Sequence, residues 1–490
     1  MEFLLLAIPL ISVLLFALMN EGRFLHITSV LASGMMVISA IIVTGRVLRL
    51  GYVEPESLGD FLYLDSLSII VLDIVIFIGF LVAVYSIGYL EEEIRQGNLD
   101  FNKAKIYYML MYVFLFTMVL ALTVKNIGVM WIAVEATTLA SVFLVGFNND
   151  KFALEAAWKY IIICSVGIAI AMLGIIMLHL SSIGLLESRD FLNWVLLMEK
   201  AEGLNEGTVR LSFIFILMGF GTKAGLAPMH TWLPDAHSQA PAPISALLSG
   251  VLLNSAMYGI IRILAIVNKS LNDSLYAGRL LMAMGMLSIA TAAIFILTQR
   301  DYKRLLAYSS IEHMGIVAVA IGFFTPLSIC SGLLHMVNHS LTKSMLFLCS
   351  GTLLQKYGTK HISKIKGMIK VLPATGVTFL LGLFAIGGTP PFSVFASEFS
   401  VLISVFQEGS YIIGAGLGIL FAVIFAGIGV ALFQIFYRGN GDGNIEIGEN
   451  NIPGAVVVVA LLVIVGITGL EMPEIMVGLI KKAQMIVSGI

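Results

Sequence analysis

Fourteen apolar stretches, each close to 20 residues or longer, run through this chain from 2–20 to 453–480. A helix of about 20 apolar residues crosses the hydrocarbon core of a bilayer. In lipid every backbone amide and carbonyl must be paired within the protein, so continuous runs of this length predict helices. Barrel strands would instead alternate apolar and polar residues over about 10 positions. The chain is 59% hydrophobic and only 12% charged. Soluble domains carry about 25% charged residues, so there are too few here to cover a water-facing surface. The expected fold is an all-α integral membrane protein of about fourteen transmembrane helices. The polar loops 91–105 and 181–209 are too short to hold a catalytic domain.

The segment 2–20 has Glu2 as its only early charge and lacks a small-residue cleavage site, so it reads as the first membrane helix and not as a signal peptide. A net charge of −2, with no dense run of Lys and Arg, excludes a nucleic-acid groove. Cys164, Cys330 and Cys349 lie in apolar segments without CxxC spacing, which argues against a zinc or iron–sulfur site. Loops after odd-numbered helices hold fifteen of the 28 basic residues, Arg438 among them, and the opposite side holds eleven. The positive-inside bias then places both termini on the outer face of a cell (inner) membrane and the 356–370 loop in the cytoplasm.

The two basic residues left over are Lys223 and Lys343, both inside predicted spans. A lysine at the centre of a membrane helix costs at least about 2.5–3.5 kcal/mol and marks a functional site by default. Glu135, in VMWIAVEATTLAS, is the obvious carboxylate for Lys223. The alternative is a protonated, purely structural glutamate. Lys223 lies within LMGFGTKAGLAPMHTWLPDAH, where Gly225 and Pro228 predict a break in the seventh helix. LGLFAIGGTPPFSVFASEFS repeats the pattern in the twelfth, with Gly387, Pro390 and Pro391 followed by Glu398. Irregular backbone at membrane depth is tolerated only against protein or a wet cavity, so each break points to an ion site.

The breaks occupy the fourth helix of two five-helix blocks, which predicts two inverted repeats. The division is 1–105 for helices 1–3, 106–267 for repeat one, 277–437 for repeat two and 453–490 for helix 14. His335, His339 and Lys343 recur every four residues and share one helix face. Imidazoles exchange protons near neutral pH, so the ladder reads as a proton wire; interhelical hydrogen bonds are the alternative. A metal held by His335 and His339 lacks carboxylate or cysteine company, so none is expected. His230 and His237 flank the first break, and His313, beside Glu312, is expected to open the tenth helix. Asp73 is a further intramembrane carboxyl without an evident partner.

The strings WIAVEATTLAS, GTKAGLAPMHTWLPDAHSQAPAPISALLSG, RDYKRLLAYSSIEHMG and HSLTKSMLFLCSG resemble the antiporter-like subunits of respiratory complex I, Mrp Na⁺/H⁺ antiporters and energy-converting [NiFe] hydrogenases. AYSSIEHMG and GGTPPFSVFASEF are most similar to the hydrogenase-4 component F-like branch, found in formate hydrogenlyase and membrane-bound hydrogenases. The resemblance covers about 100–405. It implies a Glu135–Lys223 proton site, a central conduit of His335, His339 and Lys343, and an exit at Glu398. It further implies partner membrane subunits, antiporter-like or small, a peripheral redox arm, and H⁺ or Na⁺ as cargo. Some members carry a Lys or His in the eighth helix; here Ser249 and Asn254 stand there, so His230, His237 and water would bridge the halves. The chain reaches Ile490 soon after the fourteenth stretch, so the long lateral helix of some members is not expected. No flavin, haem, quinone or iron–sulfur motif is evident, so no cofactor is expected in this chain. It reads as the non-redox, ion-translocating part of an oxidoreductase complex, with an Mrp-type antiporter subunit as the alternative.

Overall fold

The computed structural model describes residues 2–20, 22–55, 61–187, 190–437 and 446–489; Arg438 and Ile490 lie outside them. Apart from the hairpin Tyr52–Val53/Leu64–Asp65, the spans are helices. In order they are α1 (Glu2–Leu18), α2 (Gly22–Leu50), α3 (Ser66–Arg95), α4 (Phe101–Thr123), α5 (Ile127–Val145) and α6 (Lys151–Ser181). Next come α7 (Glu206–Lys223) and α8 (Trp232–Gln239), the two halves of a broken span. They lead into α9 (Ala242–Leu271), α10 (Ser274–Ile296), α11 (Tyr302–Phe323) and α12 (Pro326–Tyr357). A second broken span is α13 (Pro373–Ile386) with α14 (Ser393–Gln407), and α15 (Tyr411–Tyr437), α16 (Ile452–Leu470) and α17 (Glu474–Ser488) complete the bundle.

Ten helices among the described residues are long and apolar enough to cross a membrane. The other four expected spans fall on the shorter α1, the polar α12 and the two broken pairs. Short polar side chains mark where spans begin. Asp65, Asp100, Asn126, Asp150, Asn205, Asp273, Asp301, Thr325 and Asn451 each accept a hydrogen bond from an amide of the first turn that follows. Those amides have no partner inside the helix, and a cap of this kind is worth about 1 kcal/mol.

Two helix pairs meet backbone to backbone. Gly167 and Gly174 of α6 face Ser212 and Gly219 of α7, and a Cβ on Gly174 would lie 2.8 Å from the Ile216 amide nitrogen. Gly278 and Gly285 of α10 face Gly315 and Gly322 of α11, where a Cβ on Gly285 would lie 2.7 Å from the Gly315 oxygen. Small residues seven apart let helices approach closely, which is how membrane helices gain packing energy without a hydrophobic driving force.

The expected fourteenth helix, 453–480, is two. Helix α16 ends at Leu470, and Glu471–Pro473 separates it from α17. Pro473 cannot continue the hydrogen-bond ladder of α16. Gly469 sits on the backbone of Pro391–Ser393, with its Cβ position 2.6 Å from the Ser393 nitrogen, so the end of α16 abuts the second break. Glu2 pairs with Arg46, and Lys482 of α17 donates to the Leu48 oxygen at 2.7 Å. The first and last helices therefore reach the same end of α2.

Candidate functional site: a buried polar path

Lys223 is the last residue of α7 and is wholly buried. The helix stops there because Gly225 takes φ +77° and Pro228 supplies no amide. The ammonium thus sits at the negative end of the α7 dipole. Its Nζ donates to Thr138 Oγ1 at 2.7 Å and to the Tyr160 hydroxyl at 2.8 Å. Thr138 in turn donates to Glu135 Oε2 at 3.2 Å, and Ser165 donates to Glu135 Oε1 at 2.7 Å. The expected pairing of Glu135 with Lys223 is therefore indirect. A single hydroxyl accepts from the cation and donates to the anion. Glu135 is only half-buried and lies at the flank of the bundle.

Trp232 of α8 ties the two halves of the broken span together by donating Nε1 to the Thr222 oxygen at 2.9 Å, and its ring packs 4.8 Å from that of Tyr160. One and a half turns on, the buried His237 holds the Leu233 carbonyl through Nδ1 at 2.9 Å. Its Nε2 is buried without a hydrogen-bond partner, within electrostatic reach of Lys343 and Lys303. His230 stays at the break, against the backbone of Pro228.

Lys343 is the second wholly buried ammonium, bonded to the Leu306 oxygen at 2.8 Å and to Ser309. The next residue, Ser310, meets Ser249 at 2.7 Å. Ser249 lies in a π-helical turn, Leu248–Leu252, within α9, and such turns are frequent at functional sites. Asn254 reaches Ser340 on α12 at 2.7 Å. The stretch without an ionisable residue is thus joined to the Lys343 helix by hydroxyl and amide groups.

The expected ladder on α12 is not a straight wire. His339 has no hydrogen bond on either ring nitrogen. His335 instead meets His313 of α11, Nε2 to Nδ1, at 2.9 Å, and Ser397 of α14 through its own Nδ1 at 2.9 Å. Glu398 follows Ser397, with Oε1 3.8 Å from His313 Nδ1. His313 lies in the middle of α11 and does not open it. Glu312 is buried with one oxygen unpaired, within electrostatic reach of Lys343 and Glu398. Glu398 points back at Gly388, whose φ is +71°, so a side chain there would occupy the carboxylate's place.

Residues 124–425 match the family described as NADH:quinone oxidoreductase/Mrp antiporter, and 61–98 match the N-terminal segment of complex I chain 5. The chain belongs to this antiporter-like family. It is 43% identical over 353 residues to the hydrogenase-4 component F homolog of Methylacidiphilum infernorum (isolate V4), covering 71% of this chain and 74% of that protein. In fold it is similar to a chain of the membrane-bound sulfane sulfur reductase, an archaeal respiratory membrane complex, with a TM-score of 0.87 at 23% identity, covering 99% and 97% of the two chains. The Mrp complex from Dietzia sp. DQ12-45-1b contains a similar chain, with a TM-score of 0.83 at 17% identity and the same coverage.

Several polar groups that this antiporter-like chain brings onto the buried polar path are not legible in the sequence. Thr138, Tyr160, Ser165 and Ser397 are ordinary helix residues in the sequence; only their neighbours across helices give them a role. Lys303, counted among loop charges, is buried, and its Nζ donates to the Ala240 oxygen at the end of α8 at 2.7 Å. Lys360 donates to the Ser238 oxygen at 2.7 Å. Burial pulls the Lys360 ammonium below the usual lysine range. Asp235 of α8 pairs with Lys159 at 3.1 Å and with Arg304, beside a cavity of about 290 Å³ that Ser238 and Asp301 also line. Arg262, counted as an outer-face charge, is buried against Asp65. Asp73 has a partner in Thr44, whose hydroxyl lies 2.9 Å and 3.0 Å from its two oxygens.

Proposed function

We propose that this chain is the proton-translocating, antiporter-like subunit of a redox-driven, hydrogenase-type membrane complex. The observation that carries the reading is the chain from Lys223 through Thr138 to Glu135. It places an exchangeable proton under the control of a carboxylate at the flank of the bundle, where a neighbouring subunit's charge can act on it. While Glu135 is ionised nearby, the ammonium is favoured; when that influence is withdrawn, the dry surroundings favour release. The proton then passes by way of His237 and intervening water to Lys343, and through His313 and His335 to Glu398. His339 serves where water bridges it, and His230 lines the break.

The redox step belongs to a peripheral arm of partner subunits, and the cargo is H⁺, with Na⁺ as the competing ion. Residues 106–267 and 277–437 act as the two inverted repeats, flanked by 1–105 and 453–490. The chain lies in the inner cell membrane with its termini outside and the 356–370 loop in the cytoplasm. The similarity to a chain of an Mrp complex supports a second reading, a subunit of a gradient-driven Na⁺/H⁺ antiporter. Purifying the native complex separates the two: nickel and iron in stoichiometric amount support the first, and only small membrane subunits the second.

The hydroxyl bridge has its own test. Thr138→Val keeps the shape and removes both hydrogen bonds. A charge-assisted hydrogen bond is worth about 1.5–3 kcal/mol, so translocation should fall about tenfold or more, while Thr138→Ser keeps most of it. Equal rates in the two variants, measured by a pH-sensitive dye in sealed vesicles, would remove the hydroxyl from the path.

Lys303 is the chain neighbour of Arg304, which lines the cavity at Asp235, and is within electrostatic reach of His237, and we assign it proton uptake from that face. Lys303→Arg preserves a cation on the Ala240 carbonyl, but guanidinium does not release its proton. Lys303→Arg should therefore assemble normally and translocate as poorly as Lys303→Met. Full translocation by Lys303→Arg would make Lys303 a clamp on α8 alone.

A further inference from the structure

His313, His335 and Glu398 present three ligand-type atoms within 4.8 Å of one another. They come from α11, α12 and α14, so the tertiary fold and no local sequence spacing assembles them. His313 Nδ1 lies 2.9 Å from His335 Nε2 and 3.8 Å from Glu398 Oε1. Donors around a tetrahedral cation at about 2.0–2.1 Å stand about 3.3 Å apart, so these separations bracket what one ion requires. Ser397 holds His335 Nδ1 at 2.9 Å, which leaves Nε2 to face the cluster. An outer hydrogen bond of this kind orients a ligating imidazole.

A second observation points the same way. His339 is wholly buried, its ring centroid is 5.4 Å from that of His313, and neither of its nitrogens has a partner. Buried polar groups are nearly always satisfied, so an imidazole orphaned on both sides next to the three donors points to a bound group in this region. Access runs through the second break, where Pro390 and Pro391 are exposed and Gly388 touches the Glu398 carboxylate.

We propose that His313, His335 and Glu398, with His339 beside them, bind a divalent cation of the zinc class, and that its occupancy stops proton passage through the second half of the path. Imidazole and carboxylate donors in a closed, four-coordinate setting suit Zn²⁺, whereas Ca²⁺ and Mg²⁺ take oxygen ligands. Binding needs neutral imidazoles and an ionised carboxylate, so it expels protons and occupies the groups that would carry them. The block rests on the proton path described above; the binding does not.

The test uses the intact complex, stripped with chelator and titrated with Zn²⁺ alone, then with Co²⁺ as a spectroscopic probe. One tight equivalent per chain is expected, with the intense visible bands of four-coordinate Co²⁺. His335→Ala should abolish it, Glu398→Gln should weaken it at least tenfold without altering side-chain volume, and Ser397→Ala should weaken it about tenfold through the lost outer bond. His361→Ala, on an exposed loop, should leave it unchanged. Absence of tight binding, or equal binding by all variants, overturns the site. Tight binding with undiminished translocation in zinc-loaded vesicles keeps the metal site and overturns the proton route through it.

Discussion

Replacing Lys223 with alanine is expected to abolish ion translocation while leaving the complex assembled. The side chain is wholly buried, and its ammonium is held by two hydroxyls and the end of a helix, with no carboxylate in direct contact among the described residues. Such an arrangement is poor as a source of stability, because a buried charge without a directly bonded counter-ion does not recover its desolvation cost. It is well suited to a group that must give its proton up. Loss of Lys223 leaves Thr138 free to serve Glu135 and Tyr160 free to serve Ser141, which lies 2.7 Å away, so no buried group is orphaned. Glu135→Gln should be nearly as damaging to translocation, because the amide keeps the shape and loses the charge. Normal pumping by Lys223→Ala in sealed vesicles would sink the assignment of the proton site.

The opposite behaviour is expected of Arg262. Its guanidinium grips both oxygens of Asp65, Nη1 to Oδ2 at 2.6 Å, and donates to Ser68 at 3.0 Å, under the ring of Trp194 at 4.1 Å. Arg262→Leu leaves the Asp65 carboxyl buried without its cation. Breaking one side of a buried pair costs about 3–5 kcal/mol, comparable to the whole stability of many domains. The variant should fail to assemble or melt well below the parent. Adding Asp65→Asn should restore most of the loss, since asparagine keeps the cap on α3 and carries no charge. A thermal-shift comparison of the single and double variants checks this. If the double variant melts with the single one, the pair acts through more than charge balance.

These two residues also show where sequence reading stops. Lys223 was legible because it is flanked by apolar residues and by Gly225 and Pro228; hydropathy isolates it and the glycine and proline explain it. The two breaks were legible for the same reason, since each is a local property of 20 residues or so. Arg262 is just as buried, but it lies in the C-terminal half of its span, where a long side chain can reach toward water. Its partner lies 197 positions away, so nothing local distinguishes it from a surface charge. Lys303 is equally illegible, because the carbonyl that receives it, that of Ala240, caps α8. Thr138 is a hydroxyl among many in apolar helices, and which of them bridges two charges is decided by helix rotation. The π-turn at Ser249 and the split of the last span likewise depend on how neighbours pack, not on composition.

The close approach of α6 to α7 has a mechanical consequence. With Gly167, Gly174 and Gly219 leaving no room for slippage, the two helices form one stiff body. Lys223, Tyr160 and Ser165 all ride on it, whereas Glu135 and Thr138 ride on α5. The boundary between α5 and this body is crossed by two of the four hydroxyl bonds to the carboxylate or the ammonium, Lys223 to Thr138 and Ser165 to Glu135. A slide of less than one hydrogen-bond length along that boundary would stretch both at once and draw the carboxylate away from the ammonium.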